Sequence, residues 1–198
     1  MGKVITDDLY GPEYCARIDA KEWRFQVTPP TVKVIYDHFK PNSVVDVGCA
    51  NGIHLKAFKE LGVERLFGIE GTKHWAPYIE KYFDSRYSIL DFREPFPNLG
   101  KFDLVFCMEV LEHLEKSYAP QAIDNLISLG DTLCISACPS SGGFHHFNPQ
   151  PKKYWIKRFE KRGFKYCKDE VNKLESIFQQ MRCSGWFKTG LKVFRKTS

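Results

Sequence analysis

A chain of 198 residues with 43% hydrophobic and 27% charged residues carries enough apolar material for one core of ordinary size. No apolar run approaches the ~18 residues of a membrane span, and the early acids of Met1-Gly2-Lys3-Val4-Ile5-Thr6-Asp7-Asp8 replace the apolar centre of a secretory signal, so a cytoplasmic protein is expected. The seven cysteines are scattered without a C-x-x-C pair, which speaks for reduced thiols and against a disulfide frame or a zinc site. Met1-Gly2 with Thr6 loosely matches a myristoylation start. The net charge of +5 is uneven: residues 1–149 hold 15 Lys/Arg against 20 Asp/Glu, and residues 150–198 hold 14 against 4. That basic final quarter suits either a solvated helix face or an anionic partner such as a nucleic acid.

In chain order, residues 1–28 mix polar residues with Tyr10, Tyr14, Trp23 and Phe25, and are expected to cap the rest as short helices. Pro29-Pro30 then opens a helix to about Phe39, with Val34, Ile35 and His38 sharing its inner face. Val44–Val47 has the β-branched content of a short buried strand, broken by Gly48 and Gly52. Leu55, Phe58 and Leu61 recur at helical spacing after it. Arg65–Ile69 is a second strand, ending on Glu70, 24 positions after Asp46. Thr72 can cap a helix to about Phe83. Arg86–Leu90 is a third strand, and the prolines and glycine of Arg93–Gly100 make a loop. Phe102–Met108 and Thr132–Ala137 are a fourth and a fifth strand, joined by a helix over Tyr118–Leu129. A helix over Pro149–Lys161 stops at Gly163, Phe164–Cys167 and Leu191–Phe194 close the sheet, and Leu174–Met181 is an extra helix between them. The pattern predicts an α/β protein: a doubly wound, mostly parallel seven-stranded sheet with one antiparallel strand and helices on both faces. One domain over 1–198 is expected, with a helical cap over 1–40 and an α/β core over 41–198.

The stretch Val44-Val45-Asp46-Val47-Gly48-Cys49-Ala50-Asn51-Gly52 is the organising element. Strand, glycine turn and helix together bind nucleotide-like ligands in open α/β sheets. There is no Gly-Lys-Ser/Thr of a P-loop, and the glycine spacing is not the dinucleotide G-x-G-x-x-G. With Asp46, Gly48, Ala50 and Gly52 in place, the stretch resembles the first motif of the class I S-adenosylmethionine-dependent methyltransferases, Asp/Glu-x-Gly-x-Gly-x-Gly, with Ala50 for the middle glycine. The resemblance spans about 44–163. It implies S-adenosylmethionine as cofactor, Glu70 on the ribose hydroxyls, and Asp91 and Phe92 at the adenine. Cys49, Gly71 and Met108 complete the implied cofactor set.

Cys107-Met108-Glu109-Val110-Leu111-Glu112-His113-Leu114 follows the fourth strand, where ligands bind in such sheets. If Glu109 starts a helical turn, Glu112 and His113 share its face. Two carboxylates and an imidazole suit Mg²⁺ or Mn²⁺, and Glu-x-x-Glu-His is similar to metal-dependent O-methyltransferases acting on small-RNA ends and quinone precursors. The same residues also suit local hydrogen bonding. The loop Pro139–Asn148 brings His145 and His146 near His113, with one of the pair facing inward, as a further metal ligand (Glu109, Glu112, His113, His146) or as a general base. An unperturbed imidazole predicts a rate rising from about pH 6 to 8. The segment with His145-His146-Phe147-Asn148, Tyr154-Trp155-Ile156 and Gly163-Phe164 resembles small bacterial and viral methyltransferases associated with glycans. The expected function is therefore O-methylation of a sugar, glycan or other small hydroxylated acceptor, with His113, His145, His146 and Glu109 as catalytic candidates, by a monomer or homodimer. An RNA ribose 2′-O-methyltransferase is the rival. An amino-methyltransferase on DNA would need Asn-Pro-Pro-Tyr where Cys107-Met108-Glu109-Val110 stands.

Overall fold

The computed structural model describes residues 6–83 and 86–197; the myristoylation match at Met1-Gly2 lies outside them. At the centre is β1 (Ser43–Val47), buried along its whole length because Val44, Val45 and Val47 are covered by helices on both faces of the sheet. It pairs in parallel with β2 (Arg65–Glu70), which pairs in parallel with β3 (Tyr87–Ile89). On its other side lie β4 (Leu104–Cys107) and then β5 (Thr132–Ser136), also parallel. The edge is made by β6 (Phe164–Tyr166) and β7 (Leu191–Lys196), with β7 inserted antiparallel between β5 and β6. The strands lie in the order β3-β2-β1-β4-β5-β7-β6, and the sheet has the expected seven strands with one antiparallel. The strand order reverses between β1 and β4, so their carboxyl ends open the crevice where such sheets take ligands.

Nine helices cover the sheet among the described residues: α1 (Thr6–Leu9), α2 (Pro12–Asp19), α3 (Glu22–Phe39), α4 (Ile53–Glu60), α5 (Ala76–Tyr82), α6 (Ala119–Leu129), α7 (Lys152–Glu160), α8 (Lys168–Gln179) and α9 (Gly185–Thr189). On one face Ile35 (α3), Phe58 (α4), Ile79 (α5), Phe178 (α8) and Phe187 (α9) share a core with Phe106. On the other, Leu126 (α6), Trp155 and Phe159 (α7) pack with Phe194. Full burial of each such side chain contributes roughly 1.5–3 kcal/mol. No described helix is long and apolar enough to cross a membrane.

Four boundaries differ from expectation. First, α3 starts at Glu22 and runs through Pro29 and Pro30, which were expected to open it. Its buried face, Val27, Thr28, Thr31, Val32 and Ile35, spans the prolines, so tertiary burial holds a helix that backbone chemistry alone would begin at proline. Of the expected inner residues only Ile35 is fully buried, while His38 pairs with Glu170 at 2.8 Å. Second, β4 begins at Leu104, Phe102 making only an isolated bridge to Gly130. Third, Pro151 caps α7, which starts at Lys152 instead of Pro149. Fourth, α8 begins at Lys168, six residues before the expected Leu174, and α9 was not anticipated at all. Thr72 does cap the turn after β2, its hydroxyl accepting from the His74 amide at 3.3 Å.

Candidate active site

The loop from β1 to α4 alternates left-handed residues: Gly48 at φ +79°, Ala50 at +48° and Gly52 at +76°. Gly48 is obligatory in a second way, since a Cβ there would run into the Val110 side chain. Ala50 takes a conformation that costs an L-residue about 1–2 kcal/mol. The loop is tied to β2, with the amides of Gly48 and Cys49 both donating to the Ile69 carbonyl, at 2.7 and 3.1 Å. Glu70 finishes this fastening. Its carboxylate accepts from the amides of Ala50 (2.9 Å), Gly71 (2.7 Å) and Thr72 (3.3 Å). Burial raises its pKa to about 7 against the pull of those three donors. Asp46 sits beneath the loop, almost fully buried, with Oδ2 3.6 Å from Nδ1 of His54 and without a hydrogen-bond partner.

In front of the loop lies a cavity of about 380 Å³. Gly48, Cys49, Ala50, Glu70 and Gly71 form one wall, and Asp91, Phe92 and Met108 another. Of the residues expected at a cofactor, only Asp46 and Gly52 do not line it. Asp91 is already engaged by Arg93, whose Nη2 and Nε donate to it at 2.6 and 2.8 Å. The N-terminal helices roof the cavity with Leu9, Tyr10, Tyr14, Ile18 and Arg24, and α9 adds Trp186. The sequence named the aromatics only as parts of a cap, and nothing local marked Arg24 or Trp186.

Glu109 follows β4 and does not start a helical turn, which corrects the expectation. It takes φ +57°, its amide donating to the hydroxyl of Ser136 at 3.0 Å, and only Leu111–His113 wind into a short 3-10 turn. The result still brings Glu112 close behind Glu109. Glu112 is fully buried; Oε1 accepts from the Cys138 amide at 3.0 Å, while its Oε2 and Oε1 of Glu109 have no hydrogen-bond donor. Burial holds both carboxyls above their usual range, and each charge opposes the other at Glu112. Lys192 of β7, also buried, lies in the field of this pair with Nζ donating to Gly190 at 2.8 Å. Burial pushes its pKa down to about 8.

His113 lines the cavity. Its Nδ1 is 2.7 Å from the Tyr10 hydroxyl and 3.1 Å from the His145 carbonyl. Burial lowers its pKa to about 4, so the ring is neutral across the physiological range. His146 donates from Nδ1 to the Ser140 carbonyl at 2.7 Å, an oxygen that can only accept, which leaves a lone pair on Nε2. Its ring lies over Gly143, where a Cβ would collide with it. Glu112, His113 and His146 each place one ligand atom within 4.8 Å of the others; Glu109 is outside that group. This donor set fits a divalent cation: a buried carboxylate oxygen without a donor, and two imidazoles whose Nδ1 face backbone carbonyls, the usual support of a ligating histidine. His145 differs from its neighbour. At φ +54° its ring turns onto Phe144 and Phe147, and only its carbonyl reaches His113. Neither His145 nor His146 lines the cavity.

Residues 45–127 match the family model described as a methyltransferase domain. Over that stretch the chain is similar to methyltransferase domains. Among curated relatives, this chain is 29% identical over 118 residues to a tRNA U34 carboxymethyltransferase of Vibrio cholerae, covering 57% of this chain and 34% of that one. It therefore spans about a third of that relative's length. Two solved structures share its fold. An amino pentose methyltransferase from Micromonospora echinaspora, solved with S-adenosylmethionine bound, has a TM-score of 0.65 at 15% identity over 93% of this chain and 96% of the other. A sugar N-methyltransferase from Streptoalloteichus has 0.67 at 15% identity over 93% of each.

Proposed function

We propose that this methyltransferase acts as a single catalytic domain in the cytoplasm, transferring the methyl group of S-adenosylmethionine to a hydroxyl of a sugar, glycan or other small acceptor. Gly48, Cys49, Ala50 and Glu70 would hold the cofactor's ribose and methionine portions, with Asp91, Phe92 and Met108 around the adenine. Bound there, the cofactor supplies an electrophilic methyl group on a sulfonium. What remains for the chain is to place and deprotonate the acceptor, because a sugar hydroxyl is a weak acid and a weak nucleophile. The observation that carries this reading is His113, a neutral imidazole at the cavity wall, held by Tyr10 and the His145 carbonyl. In the tautomer protonated at Nδ1, that proton goes to the carbonyl and Nε2 is left to accept the hydroxyl proton. Tyr10, Tyr14 and Phe144 form an aromatic cluster, Tyr14 and Phe144 stacked at 4.9 Å, of the kind sugar faces pack against. The two similar sugar methyltransferases support a sugar acceptor. Methylation of a panel of hydroxylated and amino sugars, read by mass spectrometry, tests the reading. Transfer only to amino sugars would overturn it.

A second reading has its own support. Glu112, His113 and His146 fit Mg²⁺ or Mn²⁺, and such a cation would lower the pKa of a ribose hydroxyl and ease its deprotonation. Lys153, Lys157 and Lys161 stand exposed at four-residue intervals along α7 and its end, without ion-pair partners among the described residues, and could follow a phosphate backbone. RNA binding that falls steeply with salt, together with turnover abolished by chelator, would favour RNA ribose over a small acceptor.

A further inference from the structure

Two polar groups in the cavity wall have no counterpart in the chemistry described so far. Arg24, in the first turns of α3, lines the cavity half-buried and makes no hydrogen bond or ion pair with any described residue. Across the roof, Trp186 of α9 lines the same cavity with its indole Nε1 buried and without an acceptor. A guanidinium drawn out of water without a partner is costly, and burial accordingly disfavours its charged form. Asp19, the acid whose charge is felt at Arg24, is spent elsewhere. Its carboxylate accepts from Asn51 Nδ2 at 2.8 Å and from the Tyr82 hydroxyl at 3.0 Å, and pairs with Lys81. Asn51 belongs to the glycine loop, so Asp19 also fixes α2, and the start of α3 behind it, against that loop.

Two residues that line one cavity and carry donors with no acceptor of the protein's own suit an anion that arrives with a ligand. The planar fork of arginine matches a carboxylate through two parallel hydrogen bonds. On the proposed cofactor the sulfonium and ammonium are positive, and the only negative group is the carboxylate of the amino-acid end. We infer that Arg24, assisted by the Trp186 N–H, is the seat of that carboxylate; the assignment rests on the cofactor reading above. An acidic acceptor would present the same chemistry from a second source, and the two are separable.

The test compares two ligands by calorimetry: S-adenosylhomocysteine, which carries the amino-acid end, and 5′-methylthioadenosine, which lacks it. Arg24→Gln should weaken S-adenosylhomocysteine on the order of 10–100-fold and leave 5′-methylthioadenosine within twofold. Trp186→Phe should show the same selectivity at smaller size, and Arg24→Lys should recover part of the loss. Because 5′-methylthioadenosine reports an intact adenosine pocket, misfolding of a variant is distinguished from loss of the carboxylate seat. Unchanged S-adenosylhomocysteine affinity in Arg24→Gln, with weaker binding of an acidic acceptor, moves the anion to the acceptor and overturns the inference. Equal loss for both ligands makes Arg24 structural and overturns it too. Wild-type protein that binds neither ligand sinks the cofactor reading itself, and the inference with it.

Discussion

The two sides of the cleft treat buried carboxylates in opposite ways. On the cofactor side Glu70 receives three backbone amides, and its neighbours are fixed by the same hydrogen bonds. On the side proposed for the acceptor Glu109 and Glu112 each keep an oxygen without any donor, beside a histidine turned to leave a lone pair. A satisfied buried acid is part of the scaffold before any ligand binds. An unsatisfied pair calls for a shared proton or a cation, which fits the catalytic role proposed for that side. The difference teaches that a glycine loop can be preformed by its own backbone while the chemistry next to it stays open.

The largest effect should come from breaking the acceptor side alone. His113→Ala should cost on the order of 10²–10⁴ in kcat, with S-adenosylhomocysteine affinity within twofold of wild type. Steady-state kinetics beside calorimetry check this, and a variant keeping half its turnover would return His113 to a structural role. The cofactor side should respond in the reverse sense. Glu70→Ala should weaken S-adenosylhomocysteine by about 1.5–3 kcal/mol and also lower thermal stability, since three amides lose their acceptor. Binding loss without any change in melting temperature would mean that the carboxylate serves the ligand only.

Between these lies the His146 support. Gly143→Ala puts a methyl group where the His146 ring lies, so Mn²⁺ affinity, read by titration, should fall about 10–100-fold if the ring is a ligand, with cofactor binding kept. Undiminished Mn²⁺ binding would remove His146 from the cation site.

The pH profile sharpens the comparison further. The sequence alone predicts a rate rising through pH 6–8, but burial lowers His113 to about 4, so the limb belonging to this imidazole moves down toward that value and the rate should stay level from 6 to 8. For stability the sign follows from the same shift. The unfolded histidine titrates near 6.5 and the folded one near 4, so the unfolded chain takes up the proton first and stability is lost as pH falls through that window. His113→Ala should flatten that part of the stability curve, measured by denaturant unfolding across pH. The smallest effect is on the loop. Ala50→Gly relieves a left-handed alanine and should stabilise by at most about 1 kcal/mol, the gain in strain being partly offset by the freer unfolded chain.

Sequence alone determined the sheet and one of the two sides. The β-branched run at Val44–Val47, the glycines after it and the acid at Glu70 are local patterns with local consequences, so a seven-stranded, mostly parallel sheet and the loop wall of the cavity could be read from them, whereas the strand order and which closing strand runs antiparallel came from the structure. The spacing also put Glu112 and His113 near each other, while the structure adds His146 to them and leaves Glu109 outside the group. Only the tertiary structure decided what these groups face. Whether Glu109 begins a helix depends on the Ser136 hydroxyl of the neighbouring strand, and α3 passes through two prolines because its apolar face is buried against α4 and α8. Which of two adjacent histidines joins His113 is set by a left-handed backbone at His145 and the bare Cα of Gly143. Arg24, Trp186 and Lys192 come from segments far apart in the chain, and their meaning lies in an absent partner or a shared burial, neither of which leaves a mark on local sequence.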